Sequence, residues 1–384
     1  MRLLFITPNF PPHVGGMQNY SLELACELAQ RCEVFTAVAP RLSKIKTLTW
    51  KDTTVPFVIH RMGQVRDGMA LSAILSLRRL LNSQHFDAIF VTHWSAAFGA
   101  LAAQYGRQKL PLFCAAHGKE VIHQPFSHFI AAQHVYDTMR YRALQHSTLI
   151  CPVSRYTAKL VHSQGIPTNN IQVINNGVDA ARFCPQPSST LRHRLKLENK
   201  LILLSIGRLV ARKGVDTVLQ TLPHLITHFP TLCYLVVGKG PESDALKKLA
   251  HSLGVASHVR FVHDARHNEL PTYYNLCDLF VMPARNEGSD IEGFGLVFLE
   301  ASACGKAVVG AHAGGVPDAI VDGKTGVLVQ PGNHIELGKA LKTLLASPEQ
   351  RNELGAQGRK HVLACMTWQR VADELMKAMQ SRLK

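Results

Sequence analysis

At 384 residues and 46% hydrophobic content, the chain is too long for one typical domain and rich enough in apolar residues for two cores, while no apolar run approaches the roughly 18–20 residues of a bilayer span. The net charge of +15 is uneven, with 18 Lys and Arg against 9 Asp and Glu in the first 190 residues, which favours anionic partners; the lack of a basic run with interleaved aromatics argues against nucleic acid. Nine cysteines without a Cys-x-x-Cys pair or metal spacing, behind an N-terminus that reads as a short buried strand and not a signal peptide, read as the reduced thiols of a cytosolic protein.

In chain order, Leu3–Thr7 is predicted as a strand and Met17–Arg31 as a helix with Leu22, Ala25, Leu28 and Ala29 on one face. Glu33–Ala39 (strand), Ala70–Leu81 (helix), Ala88–Thr92, Pro111–Ala116, Leu149–Val153 and Ile171–Ile174 (strands) continue the alternation. A turn-rich break from Asn175 to Pro187 separates a second series. There Leu201–Ile206, Cys233–Val237, Val259–Val262, Leu279–Val281, Ala307–Gly310 and Gly326–Val329 read as strands. Val215–Ile226, Leu246–Leu253, Phe298–Cys304, Ile335–Ala346 and 349–364 read as helices. The amphipathic stretch Trp368–Leu383 is expected to return to the first domain. Strands alternating with helices imply an α/β protein of two doubly wound, Rossmann-like domains, 1–187 with the helix at about 367–384, and 188–366. Ligands of such sheets bind beyond the carboxyl ends of the strands, where every motif below falls.

The most informative stretch is Glu292-Gly293-Phe294-Gly295-Leu296 through Glu300. A glycine-rich turn that opens a helix near Leu296 offers bare N–H groups and a positive dipole end to a phosphate. Glu292 stands before the turn and Glu300 one helical turn into the helix, so one acid faces the sugar side of a phosphate and the other the nucleoside side. Gly207 to Gly214 follows the first strand of the second series and carries Arg208, a planar fork for phosphate oxygens, and Lys213, a point charge on a long stem. Arg212 reads as part of a basic surface loop. Gly15-Gly16 lies between the first strand and first helix, without Gly-x-Gly-x-x-Gly spacing or a P-loop lysine, and serves either a close approach to an anion or a turn of positive φ. His117 closes a strand and is placed to bond a sugar hydroxyl or a developing charge. Gly238 at a strand end, and Val262 and His263 at another, are candidates to border a nucleoside. Gly314-Gly315 reads as a structural turn. The acidic loop holding Glu287 and Asp290 leaves open which carboxylate serves the sugar.

Taken in this order, the residues resemble the retaining glycosyltransferases of family 4, and the resemblance runs through nearly the whole chain, with a weaker likeness to the phosphatidylinositol mannosyltransferase branch. It implies the GT-B fold, whose two domains face a central cleft, and a nucleotide-diphospho-sugar donor, GDP-mannose first and a UDP-sugar second. It also implies transfer of a hexose with retention, by a front-face route in which the leaving phosphate helps to deprotonate the acceptor, with no bound metal and no permanent cofactor. In that scheme Gly16 approaches the donor phosphate and Arg208 and Lys213 hold the pyrophosphate. Glu292 and the N–H groups of Phe294 and Gly295 grip the sugar, and Leu296 adds to phosphate binding. Glu300 takes the ribose hydroxyls, and His117 contacts the sugar.

The acceptor, lipid-linked, phospholipid or glycan, is expected on the first domain, where the basic excess lies. Ala70–Leu81, with Arg78 and Arg79, and Phe126–His146, with Arg140 and Arg142, suit either an anionic membrane surface or a core-facing helix with a basic edge. The expected enzyme is cytoplasmic and peripheral on the inner face of the cell membrane. A sugar-nucleotide epimerase or phosphorylase on the same fold, or a non-catalytic nucleotide-sugar-binding protein, remains an alternative.

Overall fold

The computed structural model describes residues 1–13, 15–41, 52–65, 68–69, 71–122 and 130–383. They form two compact units, Met1–Asn176 with Trp368–Lys384, and Gly177–Thr367.

The first unit runs β1 (Arg2–Ile6), α1 (Gly16–Ala29), β2 (Val34–Pro40), β3 (Val58–Met62), the short pair β4 (Gln64–Val65) and β5 (Gly68–Met69), α2 (Leu71–Ser83), β6 (Ala88–Val91), α3 (Trp94–Ala103), β7 (Leu112–Ala116), α4 (Ile130–Gln145), β8 (Leu149–Pro152) and α5 (Arg155–Ser163). Its main sheet has the order β3-β2-β1-β6-β7-β8 with parallel neighbours throughout. The central strands are covered on both faces, which is why Leu3, Leu4, Phe5 and Ile6 form an unbroken apolar run, each at most 2% exposed. On α2, Ala73, Leu77, Leu80 and Leu81 share the spacing of one helical face and are all buried.

The second unit runs α6 (Ser189–Arg194), β9 (Leu201–Ile206), α7 (Val215–His228), β10 (Leu232–Val237), α8 (Ser243–Ser252), β11 (Val259–Val262), α9 (Leu270–Leu276), β12 (Leu279–Val281), α10 (Leu296–Ala303), β13 (Val308–Ala311), α11 (Val316–Ala319), β14 (Val327–Val329), α12 (His334–Ala346) and α13 (Pro348–Cys365). Its sheet order, β11-β10-β9-β12-β13-β14, repeats the pattern of the first unit and is again parallel. In each sheet the order reverses direction beside the first strand, between β1 and β6 and between β9 and β12. The helices on either side of such a reversal leave a crevice at the strands' carboxyl ends.

A final helix, α14 (Trp368–Gln380), belongs to the first unit. It buries Val371, Ala372, Leu375, Met376 and Met379; Trp368 sets its ring edge-on to Tyr20 at 5.6 Å, and Asp373 pairs with Arg31 at 2.6 Å. The division falls at Asn176 and Thr367, against the 187 and 366 read from the sequence. The crossover belongs with the second unit because Val178 N–H bonds the Met366 carbonyl at 2.9 Å and the Phe183 ring packs edge-on to Tyr274 at 5.8 Å.

Ile171–Ile174 is not a strand. It runs along the β8 edge with one bridge, Ile150 to Ile171, and Ile174 N–H reaching the Pro152 carbonyl at 3.0 Å. Pro152 has no N–H to return a bond, so no ladder forms. The edge strand β3, and α3, α4 and α5 as regular elements, are additions of the structure. Among the described residues no helix is long and apolar enough to cross a membrane.

Candidate active site

In the second unit the crevice between β9 and β12 gathers the charged residues. β9 ends at Ile206, and the chain passes through Gly207 into a tight turn at Ala211–Lys213. Gly214, at φ +70°, then opens α7; a Cβ there would fall 2.2 Å from the Pro283 carbonyl oxygen, so only glycine lets this turn rest on the segment after β12. Arg285 N–H fixes the same contact by bonding the Arg212 carbonyl at 2.9 Å. Gly314, at φ +53°, supports the other side: a Cβ would lie 2.1 Å from the Glu292 carbonyl oxygen, which also accepts Gly315 N–H at 2.8 Å. The turn at Gly314-Gly315 is thus the seat of the Glu292 backbone.

Glu292 is only 9% exposed. Its Oε2 receives Lys213 Nζ at 2.6 Å and also an N–H of the Arg212 guanidinium, whose Nε lies 3.3 Å from Asp290 Oδ1. Arg212 is therefore not a surface residue of a basic loop; its side chain lies across the two acids. Burial pushes the Glu292 carboxyl up, but Lys213 and Arg212 together outweigh burial and hold it below the usual carboxylate range. Burial, reinforced by the neighbouring Arg212, pulls Lys213 down against the opposing pull of Glu292. Two cations thus converge on one buried carboxylate, with Asp290 beside Arg212 as the second acid.

The three acids now separate by role. Glu287 and Asp290 exchange backbone hydrogen bonds of 3.0 and 2.9 Å across a tight turn at Gly288, which has φ +56°. Glu287 turns to Arg285 Nε at 2.6 Å, and Arg285 also grips Asp216 at 2.8 and 2.9 Å. Asp290 faces Arg212, and Glu292 alone is buried at the centre. Gly295, at φ +98°, caps α10, and its carbonyl accepts Phe298 N–H at 3.0 Å, so the N–H groups of Leu296 and Val297 are the ones with no acceptor within the helix. Phe294 buries its ring to 2% exposure, leaving its backbone as the polar part. Arg208 is exposed, and its guanidinium has no partner among the described residues.

One turn into α10, Glu300 Oε2 accepts the buried Tyr274 hydroxyl at 2.5 Å, leaving Oε1 to accept from a ligand hydroxyl. Burial raises the Glu300 carboxyl, with Tyr274, Arg182 and Lys213 opposing. Arg182 donates to His267 Nε2 at 2.8 Å, and burial together with this cation pushes His267 down to about 4. Sequence reasoning did not find Tyr274 or Arg182, and no local motif marks either. Gly238 is explained by backbone packing: at φ +145°, a Cβ would meet the Gly207 carbonyl oxygen at 1.9 Å. The Val262 carbonyl accepts Gly238 N–H at 2.8 Å, and His263 Nδ1 lies 2.8 Å from the Gly238 carbonyl, so both residues are engaged in holding this strand end.

Gly15, Gly16 and His117 lie in the first unit. Neither glycine has the positive φ of a left-handed turn, and a Cβ on Gly16 would meet nothing within 4 Å. α1 starts at Gly16, and its Tyr20 ring stands edge-on to His117 at 4.5 Å. His117 Nε2 lies 3.1 Å from the Thr92 carbonyl. A carbonyl only accepts, so Nε2 carries the proton and Nδ1 keeps a lone pair. Burial lowers the His117 pKa against the opposing pull of Glu120, with His93 adding to the lowering. The His117 backbone N–H bonds the Glu120 carboxylate. Around it, Thr92 Oγ1 donates to Thr7 Oγ1 at 2.7 Å, which is 2.9 Å from Ser21 Oγ. Of the basic segments, α4 contributes less than expected: Arg140 is 5% exposed, 3.1 Å from Asp137 and bonded to the Ile122 carbonyl. Residues 123–129, including Phe126 and Phe129, lie outside the described residues, as does Ala70. Among the described residues no group of three or more His, Cys, Asp or Glu could hold a metal ion.

Residues 14–182 match the family model described as Glycosyltransferase Family 4, and residues 188–361 match that described as Glycosyl transferases group 1. The chain is 30% identical to a GDP-mannose-dependent α-(1-6)-phosphatidylinositol monomannoside mannosyltransferase of Mycolicibacterium smegmatis, covering 99% of this chain and 98% of that protein. It is 31% identical to a protein of the same description from Mycobacterium tuberculosis, over 97% of each. Among solved structures, Anabaena HepE in complex with UDP superposes with a TM-score of 0.79 at 22% identity, over 99% of this chain and 100% of that one.

Proposed function

The chain belongs to glycosyltransferase family 4 and is a glycosyltransferase of the two-domain GT-B fold; on that premise we propose that it transfers mannose from GDP-mannose, with retention, to a glycolipid built on a phospholipid. The observation that carries this reading is the Arg212–Glu292–Lys213 cluster at the mouth of the β9/β12 crevice, beside the N-terminus of α10. It joins two cations within reach of a diphosphate to a fixed carboxylate for sugar hydroxyls. Mannose and the lipid acceptor are favoured by the descriptions of the mycobacterial relatives.

In this scheme Lys213 and the exposed Arg208 stabilise the negative charge that develops on the leaving diphosphate, where preorganised cations act most strongly. The free N–H groups at the start of α10 bind phosphate oxygens, and Glu292 orients the sugar. Glu300, held by Tyr274, accepts the ribose hydroxyls. The Nδ1 lone pair of His117 accepts from a sugar hydroxyl. The leaving phosphate takes the acceptor's proton on the face it departs from, so the anomeric configuration is kept.

We assign docking at the inner face of the cell membrane to α2. Its inward face is core, but Leu71 and Leu75, 74% and 51% exposed, share the outward face with Arg78 and Arg79. An amphipathic strip of this kind suits an anionic lipid surface. Sedimentation with anionic liposomes at low salt tests the assignment, and no binding would remove it.

The donor is tested by thermal-shift screening against GDP-, UDP- and ADP-sugars with free nucleotides as controls. A shift selective for GDP-mannose, lost in Glu300→Ala, is expected; selectivity for a UDP-sugar would replace the donor, and no shift with any would overturn the reading. NMR of the product's anomeric proton then tests retention.

A further inference from the structure

We propose that Arg212 is a positioning residue that keeps Glu292 neutralised and in place while Lys213 leaves it for the donor's diphosphate. This rests on the donor-binding reading above. With no donor bound, Lys213 Nζ is committed to Glu292 Oε2 at 2.6 Å. To reach a phosphate oxygen it must give up part of that ion pair. The cost falls on Glu292, which is only 9% exposed and so gains little from water in exchange. A buried carboxylate stripped of its only cation is strongly disfavoured, so without a second cation Glu292 would hold Lys213 back.

Arg212 supplies the second cation. It bonds the same oxygen, Oε2, and its Nε faces Asp290 Oδ1 at 3.3 Å without hydrogen-bond geometry, leaving a buried donor free to tighten on either acid. As Lys213 withdraws, Arg212 keeps one full charge on Glu292. Its guanidinium bridges the two acids, one nitrogen on Glu292 and Nε facing Asp290, a span that a single ammonium point charge does not make. The backbone beneath it is fixed independently, by Arg285 N–H to the Arg212 carbonyl at 2.9 Å and by the packing of Gly214 on Pro283. Truncating the side chain therefore removes the charge and leaves the turn in place. Arg212 lies beside Lys213 in the chain, but its two acids lie far along it, which is why the loop alone gives no hint of the role.

The test is calorimetric titration of GDP and UDP into the full chain and its variants, with melting temperatures as a check on folding. Arg212→Ala is expected to weaken binding of the preferred nucleoside diphosphate roughly tenfold, a coupling typical of side chains sharing one ion-pair network. Arg212→Lys should recover part of the loss. Glu292→Gln removes the charge that retains Lys213, so adding Arg212→Ala in that background should change affinity less than about threefold. That non-additivity separates the proposed role from a structural one and from direct contact between Arg212 and phosphate, because either of those would preserve the tenfold loss in the double variant and overturn the proposal. Unchanged affinity in a folded Arg212→Ala would overturn it as well, while leaving the donor reading intact. If the unaltered chain binds neither nucleotide, the donor reading fails and takes this inference with it.

Discussion

The two units share a strand order and a crevice at the same topological position, yet they fill it with opposite chemistry. At the reversal between β9 and β12 stand two cations and two carboxylates in contact. At the reversal between β1 and β6 stand three buried hydroxyls bonded to one another, Thr7, Ser21 and Thr92, and the His117 imidazole, whose backbone N–H bonds the Glu120 carboxylate. Topology thus decides where a site is built, and the loop residues alone decide what it binds.

The sharpest way to break this contrast is to remove the charge at its centre. Glu292→Ala takes from Lys213 its ion-pair partner and leaves Arg212 only Asp290, and kcat/KM is expected to fall by about 10²–10³-fold, the range seen when a preorganised electrostatic group is lost. Lys213→Ala should lower kcat more than it weakens donor binding; an equal loss in binding with unchanged kcat would refute its role at the leaving group.

The glycines sharpen the comparison. Gly314→Ala forces a Cβ onto the Glu292 carbonyl at a left-handed φ, so denaturant melts should show a loss of about 1–3 kcal/mol together with lost activity. Gly16→Ala meets open space, so stability should hold while donor affinity falls. A Gly16→Ala enzyme with full donor affinity would show that no ligand comes close there.

A smaller effect should appear with pH. His267 has a folded pKa of about 4 against an ordinary 6.5, so between these values the unfolded chain carries a proton the folded one lacks. Stability is expected to fall progressively as pH drops from about 6.5 to about 4 and to level off below that. Melting temperatures of His267→Gln should show a shallower slope in this window, and an identical slope would put the acid sensitivity elsewhere. The smallest effect is Thr92→Val, which removes the buried hydroxyl that donates to Thr7 and should cost about 1 kcal/mol in a chemical melt.

Much of the fold was legible because buried parallel strands are apolar runs, and β9 and β11 fall on the residues read from the sequence. The helix α3 was not, because Trp94, Ala96, Ala97, Gly99, Ala100 and Ala103 are all buried and no polar face marks a period. The edge strand β3 was missed because its burial does not alternate. Lys213, Glu292 and Glu300 stand out in the sequence because each belongs to a glycine-marked loop at a strand end, and the structure brings Lys213 and Glu292 into contact. Arg212 was misread, and Tyr274 missed, because their roles depend on acids brought to them by the fold, with no trace in local spacing. Gly314 looked like any tight turn; only the backbone it touches shows why nothing larger fits.

The return of α14 to the first unit gives the two units different histories during synthesis. Residues 177–367 are contiguous and can close their sheet as soon as they emerge. The earlier unit has its strands first, but the Trp368 ring that covers Tyr20 and the Asp373 carboxylate that meets Arg31 come only after the whole of the later unit has been made. The half that starts first therefore finishes last, and until then an apolar strip along α1 stays open to chaperones or to a wrong partner.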